Sequence, residues 1–107
     1  MRELAFAEQG DVLWIRVGKI FDVPEAWRIR DAVASCASRA LVLDFRPTSE
    51  FHDFAMAALL TALTKIDHPP LTAVGLGAHQ RAILRYLGCD PSTFAPLGEA
   101  PASPASA

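Results

Sequence analysis

The three histidines are His52, His68 and His79, and one of them stands beside a carboxylate, in His52-Asp53. Imidazole next to carboxylate is a combination used for general acid–base work, but adjacent side chains usually point different ways and no nucleophile is identifiable nearby. No HxH or HExxH spacing places two histidines on one helical face, so no metal site is expected. Cys36 and Cys89 stand far apart, without the paired spacing of a zinc or redox motif, and read as small buried apolar residues. Gly75-Leu76-Gly77 falls between a predicted strand and a predicted helix, where backbone amides could approach a phosphate. A dinucleotide fingerprint would need a third glycine where Gln80 stands, and no Lys-Ser/Thr of a P-loop follows. No catalytic residue and no cofactor is therefore assigned, and binding of a nucleotide or other small ligand is a minor alternative.

The elements that must position these residues follow from periodicity. Glu3 to Glu8 and Val12 to Val17 alternate as a β-hairpin around Gln-Gly-Asp, with Leu4, Phe6 and Val12, Trp14 or Leu13, Ile15 as competing inward faces. Pro24 suits the first turn of a helix on which Ala26, Ile29, Val33 and Cys36 or Ala37 recur until Ser38, with Asp22 as its cap and Arg28 and Arg30 outward. Ala40 to Phe45 is apolar except for Asp44, as a covered parallel strand should be, and Arg46 to Glu50 must be loop. Asp53 is placed to cap a helix running from Phe54 to Ile66, which Asp67-His68-Pro69-Pro70 stops. Leu71 to Leu76 reads as a strand. Gln80, Ile83, Leu84 and Leu87 mark a last amphipathic helix with Gly88 as a left-handed C-cap, and a short edge strand near Thr93 to Ala95 is expected after it. The order ββαβαβα implies an α/β layer, a mixed sheet with helices packed against it.

Four pieces in this order resemble the STAS family, whose soluble members include the bacterial anti-sigma-factor antagonists. They are VLWIRVGKIFDVPEA, VLDF, FHDFAMAALL and TAVGLGAHQRAILRYLGCD, covering about Asp11 to Asp90. The resemblance implies a non-enzymatic, protein-binding regulator of transcription or signalling. In the family the third piece usually carries hydrophobic, Asp, Ser, and that serine is phosphorylated by a partner kinase. Here Phe54 follows Asp53 and Ala55 follows Phe54, so no hydroxyl stands at the switch position. The nearby Thr48 and Ser49 are supported as displaced phosphoacceptors only by proximity. Gly18-Lys19-Ile20-Phe21-Asp22 resembles the family's Gly-x-hydrophobic-Asp loop with the Asp one residue late.

The implied partner surface comprises Lys19, Phe21, Asp22, Phe51, Asp53, Phe54, Ala55 and Ala58. Phe54 either packs into the core, stapling the preceding loop, or lies exposed and forms a small docking patch with Phe51 and Phe21. The partner implied by the resemblance is an anti-sigma factor of the histidine-kinase-like ATPase type, to which ATP and magnesium would belong. The alternative is a STAS subunit of a transporter complex or signalling scaffold.

With 107 residues the chain fits one domain with one core. A net charge of −2 offers no electrostatic footprint for DNA or RNA. The apolar run from Phe54 to Leu63 is well short of the roughly 20 residues that cross a bilayer, and the N-terminus lacks the apolar core of a leader, so a cytoplasmic location without membrane insertion is expected. Residues 1–95 are read as the STAS-like domain. From Pro96 the run PLGEAPASPASA cannot bury enough apolar surface to offset its ordering entropy, and 96–107 is expected to be a disordered tail. Whether the domain forms a homodimer is left open.

Overall fold

The computed structural model describes residues 4–97. Strands β1 (Ala5–Gln9) and β2 (Val12–Arg16) form the hairpin, pairing antiparallel from Ala5 opposite Arg16 to Gln9 opposite Val12. Helix α1 (Val23–Ala34) carries the chain to β4 (Ala40–Asp44), which lies parallel to β2. A two-residue strand β3 (Ile20–Phe21) precedes α1, and another, β5 (Glu50–Phe51), follows β4. Helix α2 (Asp53–Leu63) then leads to β6 (Leu71–Val74), parallel to β4, and α3 (Ala78–Tyr86) follows. The main sheet has the order β1-β2-β4-β6, and β3 and β5 make a separate parallel pair. Apart from β3 and β5, the expected ββαβαβα order is observed.

Alternation decides which strand faces are covered. Leu13 and Ile15 of β2, Leu41 and Leu43 of β4, and Leu71 and Ala73 of β6 are buried, whereas Trp14 and Val42 are half-buried and Thr72 is exposed. The competing inward faces of β2 thus resolve in favour of Leu13 and Ile15. The helices close the core with Ala26, Ile29 and Val33 of α1, Ala55, Met56, Leu59, Leu60 and Leu63 of α2, and Leu84 of α3. Asp22 caps α1 as expected, its carboxylate accepting from the Glu25 N–H at 3.3 Å. Gly88, at φ +89°, follows the C-cap residue Leu87 of α3, a conformation that costs glycine little.

Several boundaries differ from expectation. Helix α1 ends at Ala34 with Ser35 as C-cap, because the Ser35 N–H and hydroxyl both turn back onto the Asp31 carbonyl. Asp53 is not the cap of α2: His52 holds that position without a side-chain bond, and Asp53 is the first helical residue. Strand β6 stops at Val74 because Gly75 turns to φ +86° against the Arg46 backbone. Residues Thr93 to Ala95 form no strand. Asp90 gathers the Thr93 and Phe94 amides through its carbonyl, Phe94 adopts φ +62° with its ring buried, and one antiparallel bridge joins Cys89 to Pro96. Of the expected tail, Pro96 lies opposite Cys89 in that bridge and the Leu97 N–H donates to the Gly88 carbonyl, and 98–107 lie outside the described residues.

Candidate functional site

The pairing of β3 with β5 brings the Gly18–Asp22 loop to the start of α2. The Lys19 carbonyl accepts from the Ser49 and Glu50 amides at 3.0 and 2.9 Å, the Phe21 carbonyl from the His52 amide at 3.0 Å, and the Gly18 carbonyl from the Thr48 hydroxyl at 2.8 Å. Beneath this seam Phe21, Phe45 and Phe51 form a ring cluster, with Phe21 edge-on to Phe45 at 5.3 Å and Phe51 5.6 Å from Phe45. Aromatic packing of this kind adds orientation-specific stability to burial. It holds loop and helix start in fixed relation.

The cluster also corrects the expected contact set. Phe21 is wholly buried, since alternation along β3 turns it inward, and Ala55 is wholly buried on the core face of α2. Neither can touch a partner directly. Phe51 is half-buried, Asp22 and Ala58 are partly exposed, and Lys19 and Asp53 are exposed. Phe54 projects to solvent with 74% of its surface accessible, which decides between its two expected placements. It stands at the first turn of a helix whose neighbouring residues, Ala55 and Met56, are completely buried.

Two carboxylates near Phe54 each contact an imidazole. Asp53 Oδ2 lies 3.3 Å from His79 Nε2 at the start of α3, and Glu50 Oε2 lies 2.9 Å from His52 Nε2. As an acidic residue in the first turn, Asp53 also complements the positive end of the α2 dipole. His68 bonds the Pro69 carbonyl instead. Among the described residues, no group of three or more His, Cys, Asp or Glu side chains comes together to hold a metal ion. At the glycine pair, Gln80 Oε1 accepts from the Gly77 N–H at 3.2 Å, so the chain's own side chain occupies the entry of α3.

A perturbed carboxylate lies elsewhere, at the end of β4. The buried Asp44 carboxylate accepts from Arg46 Nε at 2.9 Å, Arg46 Nη2 at 2.8 Å and the Arg46 backbone N–H at 3.0 Å, with Arg16 Nε 3.4 Å away. The Arg46 side-chain bonds hold its pKa down at about 2 against the opposing effect of burial, and the Arg46 amide and the charges of Arg46 and Arg16 contribute further. A perturbed carboxylate can mark a reactive site, but this one is saturated by a bidentate partner and fixes the turn after β4.

A feature that sequence reasoning missed adjoins Phe54. The α1 and α2 helices border a groove of about 460 Å³ whose lining includes Trp27, Arg30, Phe54, Ala58, Thr61 and Lys65. Arg30 stacks over Trp27, its Cζ 4.9 Å from the ring centroid, and its Nε and Nη2 bond Asp31 at 3.0 and 2.9 Å. Trp27 directly follows the core residue Ala26 and so falls off the buried stripe of α1. A large aromatic at such a position was the available signal. The meeting of the two helices was not visible locally.

No protein-family profile matches the chain, and no curated protein matches it in sequence. In structure, the chain is similar to the anti-sigma factor antagonist SpoIIAA in its unphosphorylated form, with a TM-score of 0.57 and 14% identity over 80% of this chain and 83% of that one. The architecture is a STAS-like fold.

Proposed function

We propose that this chain is a non-enzymatic regulator that works by binding another protein through the Gly18–Asp22 loop and the start of α2. The observation that carries the reading is Phe54, 74% exposed at the first turn of α2 beside a loop fixed by the β3–β5 seam. An aromatic ring of this kind contributes on the order of 1.5–3 kcal/mol when a partner buries it. The likeness to an anti-sigma factor antagonist supports a partner of the anti-sigma-factor kind, the ATPase implied by the sequence resemblance. With phenylalanine where that resemblance places the phosphoacceptor, the helix start takes no phosphate, and the charge-driven release that a phosphoryl group would cause is absent. Such a protein is a constitutive antagonist, set by the abundance of its partner. The contact set narrows to Lys19, Asp22, Phe51, Asp53, Phe54 and Ala58, with Phe21 and Ala55 supporting it from behind.

A second reading, a subunit of a transporter or signalling scaffold, draws on exposed apolar groups away from the helix start: Tyr86 at 90%, Leu97 at 46% and Leu87 at 41%. Affinity capture from an extract of the native source, with wild type, Phe54→Asp and Lys19→Glu, tests both. Recovery of a kinase-like anti-sigma factor by wild type and its loss with either variant supports the antagonist. Recovery of a membrane transporter or scaffold component supports the second reading, and identical recovery by all three proteins removes this surface from consideration.

A further inference from the structure

The outward side of α2 departs from the usual pattern of a surface helix. A helix packed on a core normally carries charged or polar residues on its solvent face, and one that is apolar all round is normally covered. Between Asp53 and Lys65 the α2 segment reads FAMAALLTALT, without one charged side chain. Five of its residues, Ala55, Met56, Leu59, Leu60 and Leu63, belong to the core, and Ala62 is buried beside the groove. Phe54 and Thr61 are exposed and Ala57 and Ala58 half-exposed, so the solvent face is aromatic and small rather than charged. This face lines the groove that α1 borders with Trp27, 39% exposed. Aromatic walls around a floor of alanines give a channel into which another element can settle closely, with Trp and Phe as the anchors that dominate contact energies.

Charge specifies the occupant. The two charged residues lining the groove are Arg30 and Lys65, both cationic, although the chain as a whole carries −2. Asp31 holds Arg30 from outside the lining, and Lys65 makes no ion pair among the described residues. Phe54 to Ala62 spans roughly 12 Å of helix axis, with Lys65 and Ile66 about a turn further on, a length that matches about three turns of an incoming helix.

We infer that the α1–α2 groove, with Trp27 and Phe54 as its apolar anchors and Arg30 and Lys65 at its margins, receives an amphipathic helix of a protein partner whose flanks are acidic. This rests on the protein-binding reading above and assigns the chemistry of the partner segment. The apolar stripe of that helix lies between the two rings on the alanine floor, and its carboxylates reach the two cations. Complementary charge of this sort sets orientation and encounter rate as much as affinity.

The test uses the full chain and a dye-labelled helical peptide of about fifteen residues, an apolar stripe flanked by Glu, with a twin in which every Glu is Lys. Fluorescence anisotropy is expected to show the acidic peptide binding about tenfold or more tightly than its twin, with affinity falling as salt rises. Thr61→Glu and Lys65→Glu each weaken the acidic peptide by about tenfold or more, at a nearly unchanged thermal midpoint because both side chains are exposed. Equal binding of the two peptides, or indifference to Thr61→Glu, overturns the inference. So does a self-association of the unliganded chain that Thr61→Glu abolishes, because the groove is then a contact between copies. Repeating the native capture separates the two readings: loss with Lys19→Glu but not with Thr61→Glu leaves the protein-binding regulator standing and removes the groove from it.

Discussion

Asp44 and Gly75 both constrain the backbone at Arg46. Arg46 is drawn toward Asp44 by three hydrogen bonds, and a Cβ added to Gly75 would overlap the Arg46 amide nitrogen and Cα. Asp44 ionises at about 2 in the fold against an ordinary value of 3.8, so the folded state binds its proton less readily than the unfolded chain. Its contribution to stability is complete above about pH 4 and disappears as the pH falls through 2, an amount of about 2 kcal/mol. Urea unfolding between pH 2 and 7 should therefore show an acid limb that Asp44→Asn flattens, together with a lower stability of the variant at neutral pH. Stability of Asp44→Asn that still falls as steeply across this window would assign the limb to other carboxylates. Gly75→Ala combines a left-handed φ with a backbone clash and should cost on the order of 1–3 kcal/mol, read from the same denaturation curves. Because both changes act on Arg46, their effects should not add: loosening the turn with Asp44→Asn is expected to reduce the penalty of Gly75→Ala.

Among the elements, the two helices flanking the candidate site were not equally legible. The start of α1 was readable because Asp22 and Pro24 give complementary local signals, a side-chain acceptor followed by a residue with preset φ. Asp22→Ala should accordingly lower stability by about 1 kcal/mol in thermal or denaturant unfolding, and an unchanged midpoint would deny the cap its role. At α2 the same reasoning misplaced the cap by one residue, since an acidic side chain favours both the cap and the first turn, and His52 gives no side-chain bond to decide between them. The two-residue strands β3 and β5 fall below the length at which alternation carries a signal, and they pair across 30 positions of sequence. The burial of Phe21 therefore could not be read locally. Phe54 was ambiguous for a different reason: α2 is apolar nearly all round, so periodicity gives no direction, and only its packing against the sheet turns Ala55 and Met56 inward and Phe54 outward. The groove beside it depends on how α1 and α2 meet, which no single stretch of sequence encodes.

At the scale of the whole molecule, the element order, the mixed sheet and the parallel character of β4 were readable, because a continuous apolar strand between helical segments leaves few other arrangements, whereas the strand order β1-β2-β4-β6 was not. Where the fold closes was also hard to read, because its last bonds lie in a stretch rich in proline and alanine. The Leu97 amide donates to the Gly88 carbonyl at 2.7 Å, Asp90 N–H donates to the Ala95 carbonyl at 2.8 Å, and the Phe94 ring is buried between them in sequence. The Ser92 carbonyl accepts from the Ala73 amide, so this segment also satisfies a donor on β6 at the edge of the sheet. These bonds tie the chain to the fold as far as Leu97. A chain ended after Leu97 should unfold at the same temperature as the full chain. Ended after Thr93, it loses the burial of Phe94, about 1.5–3 kcal/mol, with a drop in midpoint of roughly 4–8 °C for each kcal/mol in a domain of this size. The partner surface proposed above involves the loop and helix start at β3, β5 and α2. Native capture by the chain ended after Leu97 should therefore equal that of the full chain; a loss of capture at unchanged midpoint would place part of the contact in residues 98–107.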